Sequence, residues 1–159
     1  MTMANNLSRR SIMRGAAALA VSAAMPAFAT GSNSIHVLKD PSCGCCGSWI
    51  KIMQAEGFEV SVENVSWEAL NAYKSANGIP EDMTSCHTGQ LGAYFIEGHV
   101  PPADIRRLLA ERPDAAGLSV PGMPMGSPGM GPESEREAFD VFLIRKDGTT
   151  EVFSSYPAA

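Results

Sequence analysis

Three cysteines packed into one short stretch, Pro41-Ser42-Cys43-Gly44-Cys45-Cys46-Gly47-Ser48-Trp49, constrain this chain more than any other feature. They follow an apolar run, Ile35-His36-Val37-Leu38, and precede the helix-period pattern Trp49, Ile50, Met53. A strand therefore feeds a cysteine-bearing turn that opens a helix. The unpaired N–H groups of a first helical turn carry partial positive charge, which favours thiolate over thiol. Soft metals and thiol–disulfide exchange both need thiolate.

The rest of the chain reads as alternating strands and helices. Residues 35–39 form a first strand, and the helix after the cysteine turn runs to about Ala55, where Gly57 stops it. Residues 58–65 alternate apolar and polar, a second strand with one apolar face. Ser66 caps a second helix through Leu70, Tyr73 and Ala76, ended at Asn77-Gly78. An irregular segment, Met83 to Gly89, precedes a buried strand, Leu91 to Ile96. Pro101-Pro102 starts a third helix over 103–111, and Arg112-Pro113 ends it. Apart from Leu118 and Val120, residues 118–132 are Gly, Pro, Ser and Met, a long flexible loop of the kind that is usually functional or mobile. Val141 to Arg145 and Thr150 to Phe153, joined by Lys146-Asp147-Gly148, form a final hairpin. The order β-α-β-α-β-α-β-β predicts a two-layer α/β domain, thioredoxin-like in its placing of a Cys-x-x-Cys pair after the first strand, with a mixed parallel and antiparallel sheet. In such folds the segment before the third strand faces the cysteine turn, which brings Cys86-His87 to Cys43 and Cys46.

The N-terminus predicts export. Arg9-Arg10 and Arg14 precede a short apolar run ending Ala27-Phe28-Ala29, so residues 1–29 read as a cleaved signal of twin-arginine type and residues 30–159 as a single domain. The twin-arginine route moves folded proteins, so a metal could be loaded before export to the periplasm; the ordinary unfolded-export route is the plain alternative. The formal net charge is −5, and losing those three arginines with no acid takes it to −8. An acidic chain is a poor nucleic-acid binder, and after cleavage nothing in it asks for a membrane. The remaining acids are scattered and read as a solvated face.

Closely spaced thiolates suit Cu(I), which one sulfur can bridge to a second ion, better than a hard cation. A Cys43–Cys46 disulfide is the plain alternative in an oxidising compartment, and a bridge to Cys86 is also open. His87, directly after Cys86, either hydrogen-bonds a turn or adds a ligand; His99 either caps the third helix or does the same. Met123 and Met125 lie two apart in extended chain, which aims both thioethers one way; thioether suits Cu(I) and not Zn(II). Met53 and Met83 read as packing, and His36 as surface. Two further classes stay open: a thiol–disulfide oxidoreductase with Cys43 as nucleophile and Cys46 as resolving thiol, and a structural zinc module with a Cys3His set.

Cys43-Gly-Cys-Cys-Gly47 after a strand, Ser85-Cys86-His87-Thr88, Tyr94-x-Ile96-Glu97-Gly98-His99-Val100-Pro101 and Val120-Pro121-Gly122-Met123-Pro124 stand in this order. Together they resemble the CopG-like family of bacterial periplasmic copper-resistance proteins. The resemblance spans nearly all of residues 30–159. It implies a thioredoxin-like fold, one or several Cu(I) ions held by the cysteine motif, and redox activity on that copper. It points to Cys43, Cys45, Cys46 and Cys86 as core ligands, with His87, His99, Met123 and Met125 around them. The implied partners are copper ions and other periplasmic copper-handling proteins. No motif decides between copper binding and copper oxidoreductase activity.

Overall fold

A computed structural model describes residues 33–159; the export signal expected over residues 1–29 lies outside them. Seven strands make one sheet in the order β2-β1-β3-β4-β5-β6-β7. β1 (Ser34–Lys39) runs through α1 (Gly44–Ala55) into β2 (Glu59–Asn64), a parallel neighbour of β1. α2 (Trp67–Ala76) then leads to the β3 (His87–Leu91) and β4 (Tyr94–Glu97) hairpin, and α3 (Pro102–Glu111) follows. That connectivity, with β3 antiparallel to β1, is the expected thioredoxin-like arrangement. β5 (Gly117–Ser119), β6 (Phe139–Ile144) and β7 (Thr150–Tyr156) extend the sheet, giving the mixed parallel and antiparallel pattern.

Alternation along the strands decides what each face carries. Ile35 and Val37 of β1, Ile96 of β4, Leu118 of β5 and Val141 and Leu143 of β6 pack with Trp49, Ile50 and Met53 of α1 and Ile105 and Leu108 of α3. This is the main core, two layers thick. Phe95 and Ile144 face the other way and meet Ile79 and Met83 in a smaller cluster. Among the described residues no helix is long and apolar enough to cross a membrane.

Local signals hold where the physics is local. Ser66 caps α2, its Oγ accepting from Ala69 N at 3.2 Å, and Pro102 stands in the first turn of α3. Long-range contacts correct five expectations. The single strand expected over 91–96 is instead a corner: Leu91 pairs with Tyr94 across Gly92-Ala93, a tight turn without the usual Asn-Gly or Asp-Gly signature. The "irregular" 83–89 accordingly ends in β3. Leu118 and Ser119 belong to β5, since β4 and β6 offer them ladder partners on both sides. The apolar face of β2 is only partly covered, because β2 is an edge strand and Val62 stays 45% exposed. The acids are not all solvated: Glu97 and Asp104 are buried, Asp104 accepting from Tyr156 Oη at 2.7 Å and Ser154 Oγ at 2.5 Å.

Candidate metal centre

The cysteine turn is built by Asp40, whose Oδ1 accepts from Ser42 N at 2.8 Å and from Ser42 Oγ. Cys43 is the N-cap of α1, and Cys45 and Cys46 occupy its first turn. Cys43 and Cys46 form a disulfide with a Cα–Cα separation of 5.5 Å, one of the pairings that spacing allowed. Cys45 and Cys86 are free.

Strand register brings the second wall to this turn. Lys39, the last residue of β1, pairs with His87, the first of β3, so Cys86 projects just past the end of β1 where the turn begins. Thr88 pairs with Glu97; carried two residues further, the same register sets His99 opposite Cys86. The side chains agree. Cys86 Sγ lies 3.9 Å from Cys45 Sγ and 3.1 Å from His99 Nε2, and Cys45 Sγ lies 3.4 Å from Cys43 Sγ. The four sulfurs lie within 4.8 Å of one another, and so do the ligand atoms of Cys86, His87 and His99. Cys86 therefore belongs to both groups.

His99 is oriented from behind. Its Nδ1 lies 2.7 Å from Pro128 O, which can only accept, so Nδ1 carries the proton and Nε2 turns a lone pair to Cys86. The 118–132 stretch is thus tied to the site. Gly129, at φ +89°, seats it there: a Cβ would come within 2.7 Å of Trp49 N. Gly98, at φ +72°, makes the bend before His99, and a Cβ there would meet Val120 O at 2.6 Å. His87 is fully buried, its ring tilted against Trp49 at 4.6 Å and edge-on to His99 at 5.2 Å. Its Nδ1 is 3.4 Å from Cys86 Sγ, while its Nε2 has no hydrogen-bond partner.

Burial dominates the electrostatics. It pushes the Cys86 thiol up to about 12, helped by neighbouring Cys45, so Cys86 rests as a thiol. Burial also holds His87 well below the ordinary histidine range, and His99 below it. In the unfolded chain both protonate near about 6.5. Below that pH unfolding takes up protons, so the stability these neutral rings provide is complete above it and is lost as pH falls toward their depressed folded values. Each ring contributes a slope of about 1.4 kcal/mol per pH unit there. Urea midpoints of metal-free protein should therefore drop between about pH 7.5 and about pH 5.5. Burial raises the Glu97 carboxyl, which acts in the opposite sense, so a His87→Gln/His99→Gln variant is the control. It should lose the acid sensitivity; equal slopes in variant and parent would contradict this reading.

Four clustered sulfurs, two neutral imidazoles and an orphaned buried nitrogen fit a soft metal once the Cys43–Cys46 bridge is reduced. Met123 and Met125 stand apart in character: they are 55% and 41% exposed. His36 is on the surface, bonded to Ser61 and Glu63, and Met53 and Met83 pack in the interior.

Sequence reading missed a buried ion pair behind Cys86. Lys74 of α2 reaches Glu97 of β4, with side chains 2% and 0% exposed. The available signal was position: Lys74 follows Leu70 by one helical turn, on the buried side, and Glu97 closes an apolar strand.

Residues 83–130 match a family described as "Protein of unknown function, DUF411". That segment holds Cys86, His87, His99, Met123 and Met125 but not the Cys43 turn. No curated protein matches the chain. Two solved structures are similar to it. "Copper resistance protein copG- Form 1" is 44% identical with a TM-score of 0.74, the match covering 79% of this chain and 98% of that one. Form 2 of that protein is 45% identical with a TM-score of 0.72, covering 78% and 98%.

Proposed function

The chain belongs to the CopG-like family of copper-resistance proteins, and from that premise we propose that it binds Cu(I) through its cysteine thiolates. The observation that carries this is the convergence of Cys43, Cys45, Cys46 and Cys86 within 4.8 Å. Thiolate sulfur bridges soft ions, so sulfurs this close suit more than one Cu(I) in the reduced protein. His99 and His87 complete the site on the Cys86 side, and Met123 and Met125 offer exposed thioethers for passing contact with copper. A Cβ at Gly44 or Gly47 would point into open space, so no side chain covers the helix start at those positions. The setting is the periplasm, reached by the twin-arginine route, with exchange of copper with other copper-handling proteins there and redox turnover of the bound metal. A structural zinc role fits less well, since a sizeable apolar core already supports the fold.

Anaerobic Cu(I) titration of the fully reduced protein tests the proposal. More than one equivalent should bind, and Cys43→Ser with Cys46→Ser should abolish the tight phase. Binding left intact in that double variant would overturn it.

One observation favours a second reading. The Cys43–Cys46 disulfide sits at a helix start with two residues between its cysteines, as in a thiol–disulfide oxidoreductase. Rapid insulin reduction by metal-free protein, lost in Cys43→Ser, would support it over copper binding. Cys45 argues the other way, because a third thiol beside the pair invites disulfide exchange within the site.

A further inference from the structure

We propose that the buried Lys74–Glu97 ion pair is a positioning unit of the metal centre, clamping the Cys86-His87 dipeptide from both sides. The proposal rests on the copper reading for its metal, but the clamp itself is a property of the protein. Glu97 Oε1 accepts from Ser85 N at 2.6 Å, and Oε2 accepts from Thr88 Oγ1 at 2.6 Å. Ser85 and Thr88 are the two residues that flank Cys86-His87. Lys74 Nζ donates to Glu97 Oε1 and also to Ser85 O, so both backbone polar groups of Ser85 end on the ion pair. Ser85 Oγ in turn donates to Gly122 O, tying the same residue to the loop that orients His99. His99 itself stands two residues after Glu97.

Stability alone does not call for this arrangement. A buried ion pair costs desolvation that its attraction roughly repays, and a well-packed apolar pair of similar volume commonly serves as well or better. Its distinguishing property is geometric: one carboxylate with two oxygens holds two separate points on a short segment. The choice of an ion pair over a lone carboxylate also follows from the site. A lone buried carboxylate would add negative charge beside sulfurs that must themselves become negative to hold Cu(I), and Lys74 balances it. Groups that fix ligands from behind usually contribute 10- to 100-fold in metal affinity.

Three variants test this. Lys74→Met/Glu97→Leu replaces the pair with apolar side chains; Thr88→Val removes one arm of the clamp at constant shape; Thr88→Ser restores its hydroxyl. Two readouts are taken on each. The first needs no copper: in a Cys45→Ser background with the Cys43–Cys46 bridge intact, Cys86 is the remaining thiol, and its rate of maleimide labelling is followed under native conditions. The second is Cu(I) affinity of the reduced four-cysteine protein. The double variant should stay folded, with a urea midpoint lowered by the bonds that Ser85 and Thr88 lose, and should label Cys86 about tenfold faster or more and bind Cu(I) about 10- to 100-fold more weakly. Thr88→Val should move both readouts in the same direction, and Thr88→Ser should restore them. Parental labelling and affinity in a folded double variant would overturn the proposal, as would equal behaviour of Thr88→Val and Thr88→Ser. If the parent itself fails to take up Cu(I), the copper reading falls and the labelling rates alone decide the clamp.

Discussion

Oxidised protein, with Cys43 and Cys46 bridged, will bind Cu(I) at least about a thousandfold more weakly than the reduced protein. The bridge takes two of the four clustered sulfurs out of use, since a disulfide sulfur carries no thiolate charge. Four-ligand thiolate and imidazole sites in zinc fingers bind Zn(II) with an apparent free energy of about 10–16 kcal/mol, which sets the scale for a thiolate site of this size. Removing half of the thiolates should remove at least about 4 kcal/mol, which is three orders of magnitude in affinity. What survives oxidation is Cys45, Cys86 and the two buried histidines, enough for a weak residual site. Competition against a Cu(I) chelator under anaerobic conditions, on bridged and reduced protein, measures the difference. Equal affinity in both states would show that the cysteines are not the principal ligands and would move the metal to the methionines and histidines. Acid should weaken binding as well. Cys86 gives up a proton when it takes metal, and its thiol sits at about 12, so affinity should fall about tenfold per pH unit on its account as pH is lowered.

Lys74→Met will destabilise the metal-free protein by about 3–5 kcal/mol, a large part of the 5–15 kcal/mol typical of a folded domain. The cost comes from Glu97, left fully buried with its charge unbalanced. Its bonds from Ser85 N and Thr88 Oγ1 soften the loss but do not supply a counter-charge. Chemical unfolding should show a sharply lower midpoint for Lys74→Met and partial recovery when Glu97→Leu is added, since that change removes the buried charge but also the acceptor of Ser85 N and Thr88 Oγ1. A midpoint within about 1 kcal/mol of the parent would mean that water reaches the pair and that it is not buried as described.

The same pair shows where sequence reading stops. The Cys43 turn, α1 and the Ser66 cap are legible because they depend on residues within one or two turns of each other. The approach of Cys86 to the cysteine turn was legible by analogy with thioredoxin-like folds, and the structure supplies the reason: β3, antiparallel to β1, starts where β1 ends. The corner at Gly92-Ala93 was not, because an apolar run reads alike whether it is one strand or the arm of a hairpin. Nor was the bond between Lys74 and Glu97, which lie 23 residues apart on different elements, with Glu97 among the acids read as a solvated face. The 118–132 stretch reads as loose from its composition. Its anchors are backbone contacts: Pro128 O on His99, and Gly129 against Trp49 N, neither visible in composition.

X-ray absorption at the copper edge, on reduced protein loaded with Cu(I), tests the central claim most directly. The account predicts a ligand shell dominated by sulfur, a short copper–copper vector from thiolate bridging, and a lower sulfur count with a weakened copper–copper vector when Cys86 is replaced by Ser. A shell of nitrogen and oxygen ligands, or a sulfur shell unchanged by Cys86→Ser, would contradict it.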